Sequence, residues 1–406
     1  MALHGPAAFE NIYRSGVKIR PFLGALILSG VAAGFYKGIQ DNYLAELVRI
    51  DAFERGIVEF FREMPGLLVV FFLAWMYRFT ESRIFKIGAA LTACGLAGLF
   101  FTAPGKVSVV ILMVVYSAGE HIIMPVRSSI SLDLAHKDKG GASLGLTSAL
   151  GHGGNIAGFI LVSAVFFGFS RFGISREHIL PFKTVFAAAA LLTAGAFLVC
   201  LAMRDSGLKV KRRRFYFAKK FFKFYMLEVF YGARKQIFLT FAPYVLILNY
   251  GAGAQVISLL LAISALCGFI ASPFIGKLID RAGYRFVMVT DTLILVAVCL
   301  FYGFSHRIFP QGIAFYAVCV NYVLDAVISV ASMASSVYVR SIAASQEEMT
   351  ATISTGISVN HVISILIALL GGLLWKSVGI EALFLCSAFL GLCNSLYAAS
   401  IREGER

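Results

Sequence analysis

Runs of roughly 20 apolar residues, each nearly free of charge, recur about twelve times along this chain. A run of that length crosses a bilayer as an α-helix, whereas a membrane β-strand needs about 10 residues in strict alternation. The pattern therefore predicts an all-α polytopic membrane protein. Composition removes the alternative of a soluble globule, because 59% of the 406 residues are apolar and 14% charged, more apolar surface than one core could hide. The net charge of +14 would suit a nucleic-acid partner if it formed a patch. Instead the basic residues fall mostly in loops on one side of the predicted topology, as the positive-inside rule requires, and no nucleic-acid partner is expected.

With both termini in the cytoplasm, roughly 23 Lys and Arg lie inside and roughly 8 outside, leaving Lys37, Arg62, Arg127, Arg234 and Lys235 within spans. All seven cysteines fall in apolar runs and none forms a C-x-x-C pair, so they read as packing groups rather than disulfide or metal ligands. The first long apolar run begins near Pro21 with no signal-peptide pattern before it. The expected organisation is a cytoplasmic lead (1–20), a six-helix bundle (21–203), a basic cytoplasmic linker (204–221), a second six-helix bundle (222–402) and a short tail (403–406).

Charge inside a membrane is costly, so the ionisable residues within spans are the candidate functional groups. Span 1 has Gly30, Gly34 and Gly38 at four-residue spacing, a smooth face for a close neighbour, and Lys37 and Asp41 one turn apart, expected to pair. Span 2 carries Glu59, Arg62 and Glu63 on one face, just before Pro65 and Gly66, and is expected to form a cavity wall. Span 4 contributes Glu120, His121 and Arg127; span 7 contributes Glu228, Arg234 and Lys235; span 9 carries Asp291. Span 10 offers Asn321 and Asp325 one turn apart, and span 11 carries Asn360 and His361. Of the adjacent pair in span 7, Arg234 is assigned to the substrate and Lys235 to a structural partner.

Between two apolar runs stands Gly276-Lys277-Leu278-Ile279-Asp280-Arg281-Ala282-Gly283-Tyr284-Arg285. Its spacing, G-x-x-x-D-R-x-G-Y-R, resembles the loop motif of the major facilitator superfamily, which joins spans 2 and 3 and often recurs between spans 8 and 9. Shifted by 202 residues, Gly276 and Arg285 land on Ala74 and Arg83, with Arg78 where Asp280 stands. The register of an internal repeat survives although the first copy has decayed. Gly145, Gly154 and Gly158 match the first half of the family's antiporter motif, and helix packing explains them equally well.

The resemblance spans nearly the whole chain and implies two pseudo-symmetric six-helix bundles around a central cavity, rocking between inward-open and outward-open states. It implies a secondary transporter, with no enzymatic activity and no cofactor or metal. No ATP-binding loop is present, so an ion or solute gradient would supply the energy. The expected solute is small and polar or organic-anionic, held among Arg234, Lys37, Asp41, Arg62, Glu120, His121, Asn321, Asp325 and His361. Protons are the candidate coupling ion, carried by Asp41, Glu63, Glu120 or Asp325. Gly276, Asp280, Arg281, Gly283 and Arg285 would form a gate, with Asp280 facing the start of span 5. Anionic lipid headgroups are the expected partner of the linker. The expected unit is a monomer in the plasma membrane, the inner membrane of a bacterium. A lipid or lysolipid flippase, a multidrug-type exporter and a non-transporting receptor stand as alternatives on the same scaffold.

Overall fold

The computed structural model describes residues 11–205, 207–209 and 216–401. Among them every long element is helical: α1 (Gly16–Asn42, continued by a π-turn at Tyr43–Leu47), α2 (Ala52–Trp75), α3 (Glu81–Phe101), α4 (Lys106–Leu134), α5 (Gly140–Arg171) and α6 (Ile179–Leu201). After the connector follow α7 (Phe222–Tyr250), α8 (Ala254–Ala282), α9 (Tyr284–Ile308), α10 (Gln311–Ile342), α11 (Gln346–Ser377) and α12 (Ile380–Ala399). Ten of these helices are long and apolar enough to cross a membrane. The other two, α2 and α7, fall short because they carry Glu59, Arg62 and Glu63, and Arg234 and Lys235, within their length.

The chain packs as two units, one reaching Val48 and resuming at Met64, the other taking Arg49–Glu63 and the residues after the connector. Helix α2 thus begins in the second unit and ends in the first. The same pairings occur in both: α1 packs on α5 and α6, as α7 does on α11 and α12; α3 packs on α4 and α6, as α9 does on α10 and α12. Phe22, Phe85, Ile122 and Val126 lie in the core of the first unit, Phe221, Phe224, Val287 and Tyr338 in that of the second. Large apolar side chains such as Leu191 and Phe269 are exposed in mid-helix, the surface a lipid-facing helix presents.

Glycine sets the closest approach in the first unit. A Cβ on Gly154 would lie 2.9 Å from the Gly30 Cα, and one on Gly158 2.8 Å from the Gly34 Cα, so α1 and α5 touch backbone to backbone. Gly145 has open space around it. At the α8–α9 turn, Gly283 has φ +85°, a conformation that suits glycine, and it lets one helix end and the next begin within a single residue.

Two straps at the helix starts echo each other. Before α1, Arg14 N donates to Leu134 O and His136 N to Ile12 O, both at 3.0 Å, and the Tyr13 hydroxyl lies 3.2 Å from the Ser143 hydroxyl, tying the segment to the α4–α5 turn. Before α7, Tyr216 donates to Glu348 at 2.6 Å and Lys220 pairs with the same carboxylate at 2.7 Å, tying the connector to the α10–α11 turn. The first turn of α3 is held by the chain leaving α6: Thr80 donates to Asp205 at 2.8 Å, Arg83 stands 3.3 Å from it, and Glu81 N donates to Leu208 O. The Thr80 hydroxyl bond holds the Asp205 carboxyl below the usual carboxylate range. Lys211, Arg212, Arg213, Arg214 and Phe215 of the expected lipid-facing linker, the first ten residues and the tail at 403–406 lie outside the described residues.

Candidate functional site

The charges of α2 collect into one network with α7 and α11 in the second unit. Arg55 donates to Glu59 at 2.8 Å, and Arg62 donates to both Glu59 oxygens at 2.6 and 2.8 Å and also to Glu63. Gln236 of α7 donates to Glu59 at 3.0 Å, and His361 of α11 bonds to Glu63 at 3.0 Å. Glycines permit the contact: a Cβ on Gly372 of α11 would stand 3.0 Å from the Phe53 carbonyl. Among the described contacts two arginines face two carboxylates, so the charges offset one another. Arg62, Glu63 and His361 are thereby brought together. Arg55 went unnoticed in the sequence, although its place one turn before Glu59 was a readable signal.

Arg234 is fully buried. Asp325 of α10 lies 3.5 Å from its Nη1 and Asp291 of α9 lies 4.0 Å from its Nη2, while the guanidinium stands over the Tyr231 ring at 5.0 Å. None of its nitrogens makes a hydrogen bond of good geometry to a described residue, and one oxygen of each aspartate is likewise without a partner. Two carboxylates face one guanidinium, so the group carries a carboxylate in excess. Asn321, one turn before Asp325, donates to the Ala317 carbonyl at 2.8 Å. Asp291 was read in the sequence without a role, since nothing in one dimension ties residue 291 to residue 234.

One turn before Arg234 on α7 lies a cavity of about 360 Å³, lined by Phe224, Glu228 and Tyr231 together with Ser332, Ser335 and Ser336 of α10. Val330 and Ser332, in a 3-10 turn that interrupts α10, also line it. Ile353 and Ile357 of α11 close another side. Gly356 makes the fit possible, since a Cβ there would meet the Phe224 ring and stand 3.2 Å from the Glu228 Cγ. Tyr231 and the serines were missed as site residues. The aromatics at four before and three after Glu228 were the available signal.

In the first unit, Glu120 of α4 lies within electrostatic reach of Lys37 and Arg127, and His152 of α5 feels the same two cations. His121 turns back on its own helix, its Nδ1 2.8 Å from the Ser117 carbonyl. Asp41 is buried and Lys37 exposed on α1. Asp280, Arg281 and Arg285 are exposed at the α8–α9 turn, with Gly276 in open space.

The family model of the Major Facilitator Superfamily matches residues 224–405. No curated protein matches the sequence. Among solved structures, the nucleoside transporter NupG superposes with a TM-score of 0.73 at 14% identity, over 95% of this chain and 98% of its own. A D-xylose-proton symporter gives 0.73 at 13% identity over 96% and 99%. A bacterial homologue of the iron transporter ferroportin, in an inward-facing state, gives 0.73 at 13% over 94% and 98%. At these identities the likeness is one of fold, and it extends along nearly the whole chain.

Proposed function

We propose that this chain belongs to the Major Facilitator Superfamily and is a proton-coupled secondary transporter for a small polar solute. The observation that carries the coupling is the group of Arg234, Asp291 and Asp325, where two carboxylates share one buried guanidinium. An uncompensated charge in such a place costs roughly several kcal/mol, and a proton on one carboxylate removes it. Binding and release of that proton would alter how α7, α9 and α10 hold one another, which is the kind of bistable contact a transport cycle needs. The likeness to a D-xylose-proton symporter supports the coupling ion, and the cavity one turn away on α7 gives the solute a place. Because Arg234 is already flanked by two carboxylates, the geometry favours the polar part of the sequence expectation over the organic anion.

The basic loops support an orientation with both termini in the cytoplasm. Asp280, exposed at the α8–α9 turn, acts in this reading as a gate residue, and Asp280→Asn slows transport while leaving solute affinity near normal.

Purified protein in sealed vesicles with an internal pH dye tests the proposal. Imposed gradients of sugars, nucleosides and amines are applied in turn. One class is expected to move protons with it, and Asp325→Asn to abolish that proton movement while solute exchange between equal pools continues. Solute flux that ignores the pH gradient in both proteins would sink the coupling.

A further inference from the structure

We infer that the Glu228 cavity binds a solute bearing a small organic ammonium group. This rests on the transporter reading above and names the substrate class for it. Glu228 is a carboxylate in the cavity wall held by two long contacts. Among the described residues Glu228 has two possible donors, the Ser335 hydroxyl at 3.2 Å and the Asn360 amide at 3.4 Å. Ser335 has a single proton, and its shorter contact is to the Ser332 carbonyl at 2.9 Å. Both contacts of Glu228 are long, and together they leave part of the acceptor capacity of its carboxylate open.

The surroundings select the missing partner. Phe224 and Tyr231 stand on either side of Glu228 along the same face of α7 and both line the cavity, offering ring faces that attract a cation. Ser332 and Ser336 add hydroxyls, and no Lys, Arg or His is among the lining residues. Lys235, two turns along the helix, reaches Glu228 only through its charge. An anion would meet a carboxylate with no cation in the wall to offset it. A bare metal ion would use neither ring and would leave most of the 360 Å³ unfilled. A methylated or primary ammonium uses the carboxylate, the rings and the hydroxyls together.

Tyr231 gives the site a link to coupling. Its ring lines the cavity and also lies under the Arg234 guanidinium. A cation settling on that ring competes with Arg234 for the same π-density, so solute and proton sites share one side chain.

The test uses choline and its uncharged isostere 3,3-dimethylbutan-1-ol as probes of the full-length protein in detergent, read by thermal unfolding and by calorimetric titration. Choline at millimolar concentration is expected to raise the unfolding temperature of the wild type, and the neutral isostere to leave it unchanged. Glu228→Gln should weaken choline binding by about tenfold or more, and Tyr231→Leu by about threefold or more. The second variant serves if the first does not fold. Equal stabilisation by the two probes, undiminished choline binding by either folded variant, or stabilisation by sodium alone would overturn the inference. Choline binding without any proton-linked flux in vesicles would instead remove the transporter reading and leave the site standing; flux of another solute with no choline binding does the reverse.

Discussion

The Arg234 guanidinium stands 5.0 Å above the Tyr231 ring, and that ring is also a wall of the Glu228 cavity. One turn of α7 therefore joins the buried ion group to a cavity in the second unit. The pair is close in sequence, but its meaning comes from α9 and α10, which bring Asp291 and Asp325 to the other side of Arg234.

Removing Arg234 leaves Asp291 and Asp325 without the cation that both approach. Arg234→Gln should cost about 3–5 kcal/mol of stability, and the added change Asp325→Asn should recover part of that loss, since it removes one of the two orphaned charges. Thermal unfolding of the single and double variants in one detergent measures both terms. Purely additive losses would show that the three groups are not coupled.

The glycines of α5 should divide by their neighbours. Gly158→Ala places a methyl 2.8 Å from the Gly34 Cα and should destabilise by about 1–3 kcal/mol, with Gly154→Ala close behind. Gly145→Ala, on the same helix but in open space, should be neutral or slightly stabilising. A similar loss at all three would mean that the glycines serve something other than the α1–α5 contact.

The two straps should respond alike. Tyr13→Phe removes the hydroxyl that meets Ser143, and Tyr216→Phe the one that meets Glu348; each should cost about 0.5–1.5 kcal/mol. Hydrogen exchange should quicken at the α4–α5 turn in the first variant and at the α10–α11 turn in the second. Faster exchange spread evenly over the protein would argue against local latches.

Asp205 predicts a pH dependence of known sign. Its folded carboxyl titrates below the usual range because Thr80 donates to it. Its contribution is therefore whole above the unfolded value of about 4 and fades as the pH falls through the lowered folded value. Asp205→Asn should loosen the first turn of α3 at neutral pH, and Thr80→Val should move the onset of loosening to higher pH. Hydrogen exchange over residues 78–86, corrected for intrinsic rates, reads both; an unmoved onset in Thr80→Val would discount the hydroxyl.

Hydropathy and spacing alone indicate that this chain crosses a membrane repeatedly as helices, that its halves repeat, and that α2 and α7 carry charge within their spans. Those properties are sums over a window or spacings along one helix, so hydropathy and a 3.6-residue period reveal them. The motif glycine Gly283 was legible for the same reason, because a one-residue turn demands its backbone freedom. Which of those charges meet is fixed between helices, in the folded chain. Glu63 finds His361 across 298 residues, Glu59 finds Gln236 across 177, Arg234 is flanked from α9 and α10, and Glu228 meets Ser335 and Asn360 only at long range. An ion pair or an unsatisfied carboxylate depends on distances of a few ångströms between helices, which the order of residues within one helix does not contain.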